Sequence, residues 1–303
     1  MKKILNILIV LGLPLLGAAQ SFTETITKEL TFEKKGPQNA LMVMNIDGDI
    51  KIEGYDGDKI IVEVEKIING KTQARLEKGK AEIQLGILDR ADTILLYVQG
   101  LCSEFGKMNR KRNSNSRWNH WGYNWNECGN GQGNCNNNNK DYDYEMNFTI
   151  KVPKSINLLT STINDGDISI SNFTGHLLAE NINGSVRLKG ISGATYATTI
   201  NGDVDLDYTS NPPGDSRYYT LNGDINANFK KGLSANLAFE SFNGEFYTNV
   251  NRIESLPVMV EKKANGEGIK YKIGGSRYKV GNGGVLLDFE TFNGNVYLKE
   301  KEN

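Results

Sequence analysis

The chain has 303 residues, with 35 Lys and Arg against 36 Asp and Glu, a formal net charge of −1. Such a balance creates no global field that would select nucleic acid or an anionic membrane. Its 33 Gly, 6 Pro and lack of long helical periodicity favour an all-β chain over an α/β one.

Met1-Lys2-Lys3, an apolar run from Ile4 to Leu16 and the small residues Gly17-Ala18-Ala19 form the three parts of a secretory signal peptide over residues 1–19. The run is too short for a comfortable membrane span, and no Cys follows the small residues as a lipoprotein would need. Cleavage after Ala19 leaves an exported chain beginning at Gln20, expected in the periplasm, on the cell surface or outside the cell, with no transmembrane segment. Without Lys2 and Lys3 it holds 33 basic residues against 36 acidic ones, a net charge of about −3.

Residues 20–100 read as N-terminal strands followed by the first coils of a repeat. Phe22, Ile26, Leu30 and Phe32 among Thr, Glu and Lys suit an initial strand or cap. A Gly turn at Ile46-Asp47-Gly48-Asp49-Ile50 follows, then a second Gly corner at Tyr55-Asp56-Gly57-Asp58 and the strand Ile60-Ile61-Val62-Glu63-Val64. Two further strands are expected around Ile83-Gln84-Leu85 and Ile94-Leu95-Leu96-Tyr97-Val98.

Residues 101–141 interrupt this pattern. The segment holds Cys102, Cys128 and Cys135, Trp118, Trp121 and Trp125, His120, a basic cluster (Lys107, Arg110, Lys111, Arg112, Arg117) and Asn136-Asn137-Asn138-Asn139. Polar Asn/Gly composition cannot offset the entropy of ordering, so a largely flexible inserted loop is expected. In an exported chain Cys128 and Cys135 could staple it, which would stabilise the closed loop by roughly 2 to 3 kcal/mol; sequence does not choose among the three pairings with Cys102. Trp118, Trp121, Tyr123 and Trp125 are the candidate partner-binding residues, since aromatic rings stack on sugars or anchor proteins at low entropic cost. A zinc set of three Cys with His120 matches no finger spacing. The five basic residues read as a solvated loop, not a nucleic-acid site.

Residues 142–303 carry the main repeat. Apolar-Asn/Asp-Gly-polar-apolar turns recur at Gly48, Gly166, Gly184, Gly202, Gly223, Gly244 and Gly294, with steps of 18 residues from Gly166 to Gly202 and 21 from Gly202 to Gly244. Apolar residues two and four positions after each Gly define one buried face (Ile168/Ile170, Val186/Leu188, Val204/Leu206), whereas the buried phase before the Gly sits three and five positions back. At Gly166 one extra residue precedes the glycine. A phase that switches at each Gly describes a coil turning a corner. The expected fold is therefore a single-stranded, right-handed β-solenoid (β-helix) with rungs of about 18–22 residues, each burying its face only against its neighbours. Asn265-Gly266-Glu267 reads as a degenerate rung.

The Asn-Gly-Asp-Ile/Val turns, Tyr55-Asp56-Gly57-Asp58 and the strand Phe148-Thr149-Ile150-Lys151-Val152-Pro153 resemble the bacterial putative-adhesin domain family of unknown function, over roughly residues 40–300 without the insertion. The resemblance implies an adhesin-like β-helical protein of the cell envelope and no catalytic residues.

Asp49, Asp167, Asp203, Asp224 and Glu245 share one position after the Gly, so Asp203, Asp224 and Glu245 are expected to stack about 4.8 Å apart. Each like-charge pair would cost only about 0.9 kcal/mol in water, Ser185 and Asn295 interrupt the row, and the calcium repeat Gly-Gly-x-Gly-x-Asp is missing; the turns are read as structural, with calcium secondary. His176 reads as a surface turn residue, and no nucleophile elbow, zinc-protease motif or phosphate loop occurs. No catalytic, cofactor-binding or metal-ligating residue is assigned. The expected role is non-catalytic binding of a glycan or an envelope protein. The alternative is a structural or assembly component of the envelope, and a polysaccharide-active β-helix ranks below both. Oligomeric state is not legible.

Overall fold

The computed structural model describes residues 20–100, 142–258, 260–265 and 268–302. The signal-peptide segment and the insertion, with Trp118, Trp121, Tyr123, Trp125, Cys128 and Cys135, lie outside the described residues.

The described chain is all-β apart from one helix. In order the elements are β1 (Gln20–Leu30), β2 (Ala40–Met44), β3 (Ile50–Tyr55), β4 (Ile60–Gly70), α1 (Gln73–Glu82), β5 (Gln84–Asp89), β6 (Thr93–Gln99), β7 (Tyr142–Pro153), β8 (Asn157–Ser161), β9 (Ile168–Ser171), β10 (Leu177–Glu180), β11 (Val186–Ile191), β12 (Thr195–Asn201), β13 (Val204–Tyr208), β14 (Ser216–Asn222), β15 (Ile225–Phe229), β16 (Ala235–Asn243), β17 (Phe246–Thr248), β18 (Ile253–Leu256), β19 (Val260–Asn265), β20 (Gly268–Ile273), β21 (Ser276–Val280), β22 (Leu286–Asn293) and β23 (Val296–Glu300). They form a 10-stranded sheet ordered β1-β4-β7-β3-β9-β11-β13-β15-β23-β17, an 11-stranded sheet ordered β18-β21-β16-β22-β14-β12-β10-β8-β2-β6-β5, and the separate pair β19-β20.

At every Gly turn the chain leaves the 11-stranded sheet and enters the 10-stranded one: β2 to β3, β8 to β9, β10 to β11, β12 to β13, β14 to β15, β16 to β17 and β22 to β23. The strands so linked pair in parallel within each sheet. Alternation then places one face of each strand between the sheets. Ile50, Ile168, Val186, Val204, Ile225 and Val296 lie side by side, all at 0% exposure. Opposite them run Ala179, Ala197, Tyr218 and Phe289, also buried. Full burial of each large aliphatic contributes about 1.5 to 3 kcal/mol.

Both sheets are mixed because their ends are antiparallel. β1-β4-β7 closes one end of the 10-stranded sheet, β5-β6 one end of the other, and β16-β21-β18 its opposite end. Tyr55-Asp56-Gly57-Asp58 is accordingly not a passage between the two sheets: β3 and β4 belong to the same sheet, with β7 between them. Of Asn265-Gly266-Glu267, Gly266 and Glu267 lie outside the described residues; the flanking β19 and β20 pair antiparallel with each other, Asn265 opposite Gly268, in neither large sheet. Helix α1 was not legible because only Leu76 and Gly79 are buried on it, leaving no apolar stripe; Thr72 caps it by accepting the Arg75 N–H at 3.3 Å. It covers the buried Lys66, which donates to the Lys80 carbonyl at 3.1 Å and faces Glu24 at 3.5 Å.

Stacking order departs from sequence order at the C-terminal end. β22 lies between β14 and β16, and β23 between β15 and β17. The Gly294 corner therefore sits between those of Gly223 and Gly244. Glu245 consequently does not neighbour Asp224.

The glycines are demanded by close approach. A Cβ at Gly166 would lie 1.9 Å from the Gly48 carbonyl oxygen, at Gly184 2.1 Å from that of Gly166, at Gly202 2.4 Å from that of Gly184, at Gly294 1.8 Å from that of Gly223, and at Gly244 1.7 Å from that of Gly294. Backbone on backbone cannot yield as a side chain can. Gly202→Ala is expected to destabilise by on the order of 3 kcal/mol in chemical denaturation. Gly214→Ala, whose Cβ would meet only the Ala194 methyl at 3.5 Å, should stay within about 0.5 kcal/mol.

One polar pair lies inside the core. Tyr208 and Tyr218 are fully buried, their hydroxyls 2.8 Å apart, with Tyr208 stacked on Phe229 at 5.0 Å and Tyr218 tilted by 40° against Phe289 at 4.9 Å. Burial pushes the Tyr208 phenol up to about 12 and raises that of Tyr218 well above its ordinary value. Unfolded tyrosines ionise near pH 10, so the neutral pair's contribution is fully present below that pH and is lost as pH rises toward about 12. An alkaline unfolding transition is expected in this window. Circular dichroism and tyrosinate absorbance should change together, and Tyr208→Phe should move the transition upward.

Candidate binding face

Three hydrogen-bonded ladders run along the corners. In the first, the small polar residue before each Gly is buried and donates to the preceding corner's Gly carbonyl: Thr162 to Gly48 at 3.1 Å, Asn181 to Gly166 at 2.8 Å, Thr199 to Gly184 at 2.7 Å, Thr220 to Gly202 at 2.8 Å and Thr291 to Gly223 at 3.3 Å. In the second, the Asn amides join side chain to side chain, Asn201 to Asn183 at 2.8 Å, Asn222 to Asn201 at 2.9 Å, Asn293 to Asn222 at 2.9 Å and Asn243 to Asn293 at 2.8 Å. Asn164 takes this place on its corner, bridging Asp47. The extra residue before Gly166 is thus Asp165, held at a φ of 47°, a conformation that Asp tolerates.

The third ladder uses the acidic position. Asp49 Oδ1 accepts the Asp167 backbone N–H at 2.9 Å, Asp167 Oδ1 that of Ser185 at 2.7 Å, Ser185 Oγ that of Asp203 at 3.3 Å, Asp203 Oδ1 that of Asp224 at 2.9 Å, Asp224 Oδ1 that of Asn295 at 2.7 Å, and Asn295 Oδ1 that of Glu245 at 3.0 Å. Ser185 and Asn295 do not interrupt the row; they supply the same acceptor. Among the described residues no group of three or more His, Cys, Asp or Glu is placed to hold a metal ion. Asp203→Ala should cost about 1 kcal/mol and Asp203→Asn, which keeps the acceptor, less than about 0.5 kcal/mol. Both are read by thermal denaturation with and without calcium, where a calcium-dependent rise in the wild type would return these carboxylates to a metal.

Beyond the corners lies the outer face of the 10-stranded sheet, where Asn226 donates to Asp205 Oδ1 at 2.9 Å. The third residue after each Gly forms one cross-strand row: Lys51 on β3, Ser169 on β9, Arg187 on β11, Asp205 on β13, Asn226 on β15, Tyr297 on β23 and Tyr247 on β17, with Thr149 of β7 beside Lys51. A second row holds Lys151, Glu53, Ser171 and Lys189.

At the β7-β3-β9-β11 end these rows enclose a shallow trough of about 440 Å³. Its floor is β9, where Ser169 and Ser171 alternate with the buried Ile168 and Ile170. Lys51, Glu53 and Lys151 stand on one side, Arg187 and Lys189 on the other. Lys51 lies 3.3 Å from Asp49, Lys151 3.7 Å from Glu53, and Arg187 pairs with Asp167 and, at 3.7 Å, with Asp205. The Asp167 hydrogen bond holds the Arg187 guanidinium above its ordinary pKa. Among the described residues Lys189 makes no ion pair, and the Ser169 and Ser171 hydroxyls make no side-chain hydrogen bond.

At the other end the face becomes aromatic. Tyr247 stacks on Tyr297 with centroids 5.1 Å apart and planes 10° apart; before the corner, on β16 and β22 of the 11-stranded sheet, Phe242 stacks on Phe292 at 4.8 Å and 4°. No strand follows β17 in its sheet, so the outer ring face of Tyr247, 45% exposed, is open; Phe242, 73% exposed, lies on β16 of the 11-stranded sheet, past the Ala235–Phe239 stretch that pairs with β21. Tyr247 donates to Glu245 at 2.6 Å, which raises its phenol pKa. The sequence reading placed the aromatic contacts at Trp118, Trp121, Tyr123 and Trp125, outside the described residues, and missed this pair of stacks; counting three past each Gly would have found Tyr247 and Tyr297. His176 is exposed beside a turn.

No family model matches the chain, and no curated protein matches it. Two solved structures are similar to it. One is described as a putative cell adhesion protein from Clostridium sporogenes, 12% identical with a TM-score of 0.35, covering 94% of this chain and 100% of that one. The other is a putative adhesin from Bacteroides fragilis, 13% identical with a TM-score of 0.34, covering 92% and 97%. No described helix is long and apolar enough to cross a membrane.

Proposed function

We propose that the chain is an exported, non-catalytic, adhesin-like binding module whose two sheets are the walls of a right-handed β-solenoid, and whose outer face on the 10-stranded sheet contacts an extended ligand, a glycan of the cell envelope or its surroundings. Export rests on the leader-like residues 1–19, the coil on the repeated passage between sheets at each Gly turn. One observation carries the binding reading: the eight-strand row from Thr149 to Tyr247, polar along its length and ending in the stacked Tyr297 and Tyr247 rings, the last with its outer face open. Eight strands at about 4.8 Å make a straight track of roughly 34 Å, and exposed planar rings offer contact area with little entropy to lose. The corner ladders keep the track rigid. The structural or assembly alternative draws on the open edge of β17, which leaves backbone groups available to another chain.

Glycan-array binding of the chain from Gln20 onward is the test. Tyr247→Ala and Tyr297→Ala, at the aromatic end of the row, should weaken a neutral or acidic glycan at least fivefold without lowering Tm by more than about 2 °C. Binding confined to residues 101–141, abolished by their deletion and indifferent to both substitutions, would move the contact to the insertion. Capture of no glycan, together with concentration-dependent self-association lost on placing Pro at Tyr247, would favour the assembly reading.

A further inference from the structure

We infer that the trough over β9 is a subsite for a carboxylate-bearing glycan, with Lys189, Arg187 and Lys51 as the cationic contacts and the Ser169 and Ser171 hydroxyls as donors from the floor. This deepens the reading of the outer face as a glycan track and rests on it. The shape follows from side-chain length. Ser169 and Ser171 are short, whereas the strands on either side carry Lys51 and Glu53 on β3 and Arg187 and Lys189 on β11. The walls therefore stand two strand spacings apart, roughly 9.6 Å, and the volume of about 440 Å³ falls in the range of small-ligand sites.

The charge follows from the lining: four cations, Lys51, Lys151, Arg187 and Lys189, against one carboxylate, Glu53. Three of the four have acidic neighbours at exposed positions. Exposed pairs contribute little, so a ligand carboxylate can exchange for them, and Lys189 has no pair to give up among the described residues. Two hydroxyls aimed outward with no side-chain partner are groups that an oxygen-rich ligand satisfies. The trough holds no aromatic anchor of the kind that dominates protein interfaces, so charge and hydrogen bonds must do the recognising. An acidic sugar chain presents both at regular intervals, and the row continues past Asp205 and Asn226 toward the rings of Tyr297 and Tyr247.

Calorimetric titration of the chain from Gln20 onward with polygalacturonate, alginate and hyaluronate, beside methyl-esterified polygalacturonate as the uncharged counterpart, tests the assignment. At least one acidic glycan should bind, at least tenfold more tightly than the ester, and more weakly as salt rises. The double variant K51A/K189A should lose at least tenfold in affinity, with Tm and circular dichroism preserved; Lys230→Ala, an exposed cation after the end of β15, should lose less than twofold. Equal affinity for polygalacturonate and its ester, or acidic binding untouched by K51A/K189A, overturns the subsite. If a neutral glycan then binds and responds to Tyr247→Ala, the outer-face reading survives alone. If no glycan of either kind binds, both fall.

Discussion

The contact on which this structure depends is that of one glycine's α-carbon against the carbonyl oxygen of the glycine in the neighbouring corner. At Gly166 and Gly244 the φ is not positive, so turn geometry alone does not call for glycine there. What the corners share is a space too small for any Cβ, 1.7 to 2.4 Å from the next carbonyl oxygen at all the corners from Gly166 onward. That approach sets the register between stacked strands. Because side chains alternate, a slip of one residue would turn Ile168, Val186 and Val204 outward and Ser169, Arg187 and Asp205 into the core. The three ladders then secure the same register from three sides, each rung contributing hydrogen bonds worth about 0.5 to 1.5 kcal/mol apiece.

Stacked parallel strands leave two ends, and the chain treats them differently. The N-terminal end is closed by β1, β4 and β7 in one sheet and by the β5-β6 hairpin in the other, with α1 packed over Lys66. At the C-terminal end the 11-stranded sheet is closed by β21 and β18, yet the 10-stranded sheet stops at β17, three residues long. A short edge limits pairing with other chains. It also leaves open the Tyr247 ring face that a further strand would cover.

The parts of this fold legible in the sequence are those repeated within it. Each Asn-Gly turn announces itself by residue type and by the switch of buried phase, and the inward columns follow. Stacking order was not legible, since nothing local tells the Gly294 corner to insert between those of Gly223 and Gly244; only contacts between distant strands decide that. Residue spacing therefore predicted Asp224 beside Glu245, where Asn295 stands between them. Helix α1 left no periodic signal because it covers the core with Leu76 and Gly79 alone. For the binding face the difficulty was of another kind. The outward residues were visible as the polar half of each alternation, but their lateral order, and hence the trough over Ser169 and Ser171, exists only once the strands are side by side.

The repeat also separates what the fold needs from what it leaves free, within a single chain. Two residues before the Phe, Val or Ile that starts each post-turn strand comes the Gly itself, every time. One residue before it stands Asp, Ser, Asn or Glu, and on every corner but the last this side chain accepts the next backbone N–H. A carboxylate so engaged has one oxygen fewer for a metal or ligand, so an acidic row that looks like chemistry in sequence is largely architecture. One and three residues further on, the same strands carry Lys, Ser, Arg, Asp, Asn and Tyr, with no common type from corner to corner. A position that the scaffold does not constrain can hold any side chain a ligand requires. Lys51, Ser169 and Arg187 are neighbours only because the glycine corners put them there, so the make-up of this face is a product of the register that the corners impose.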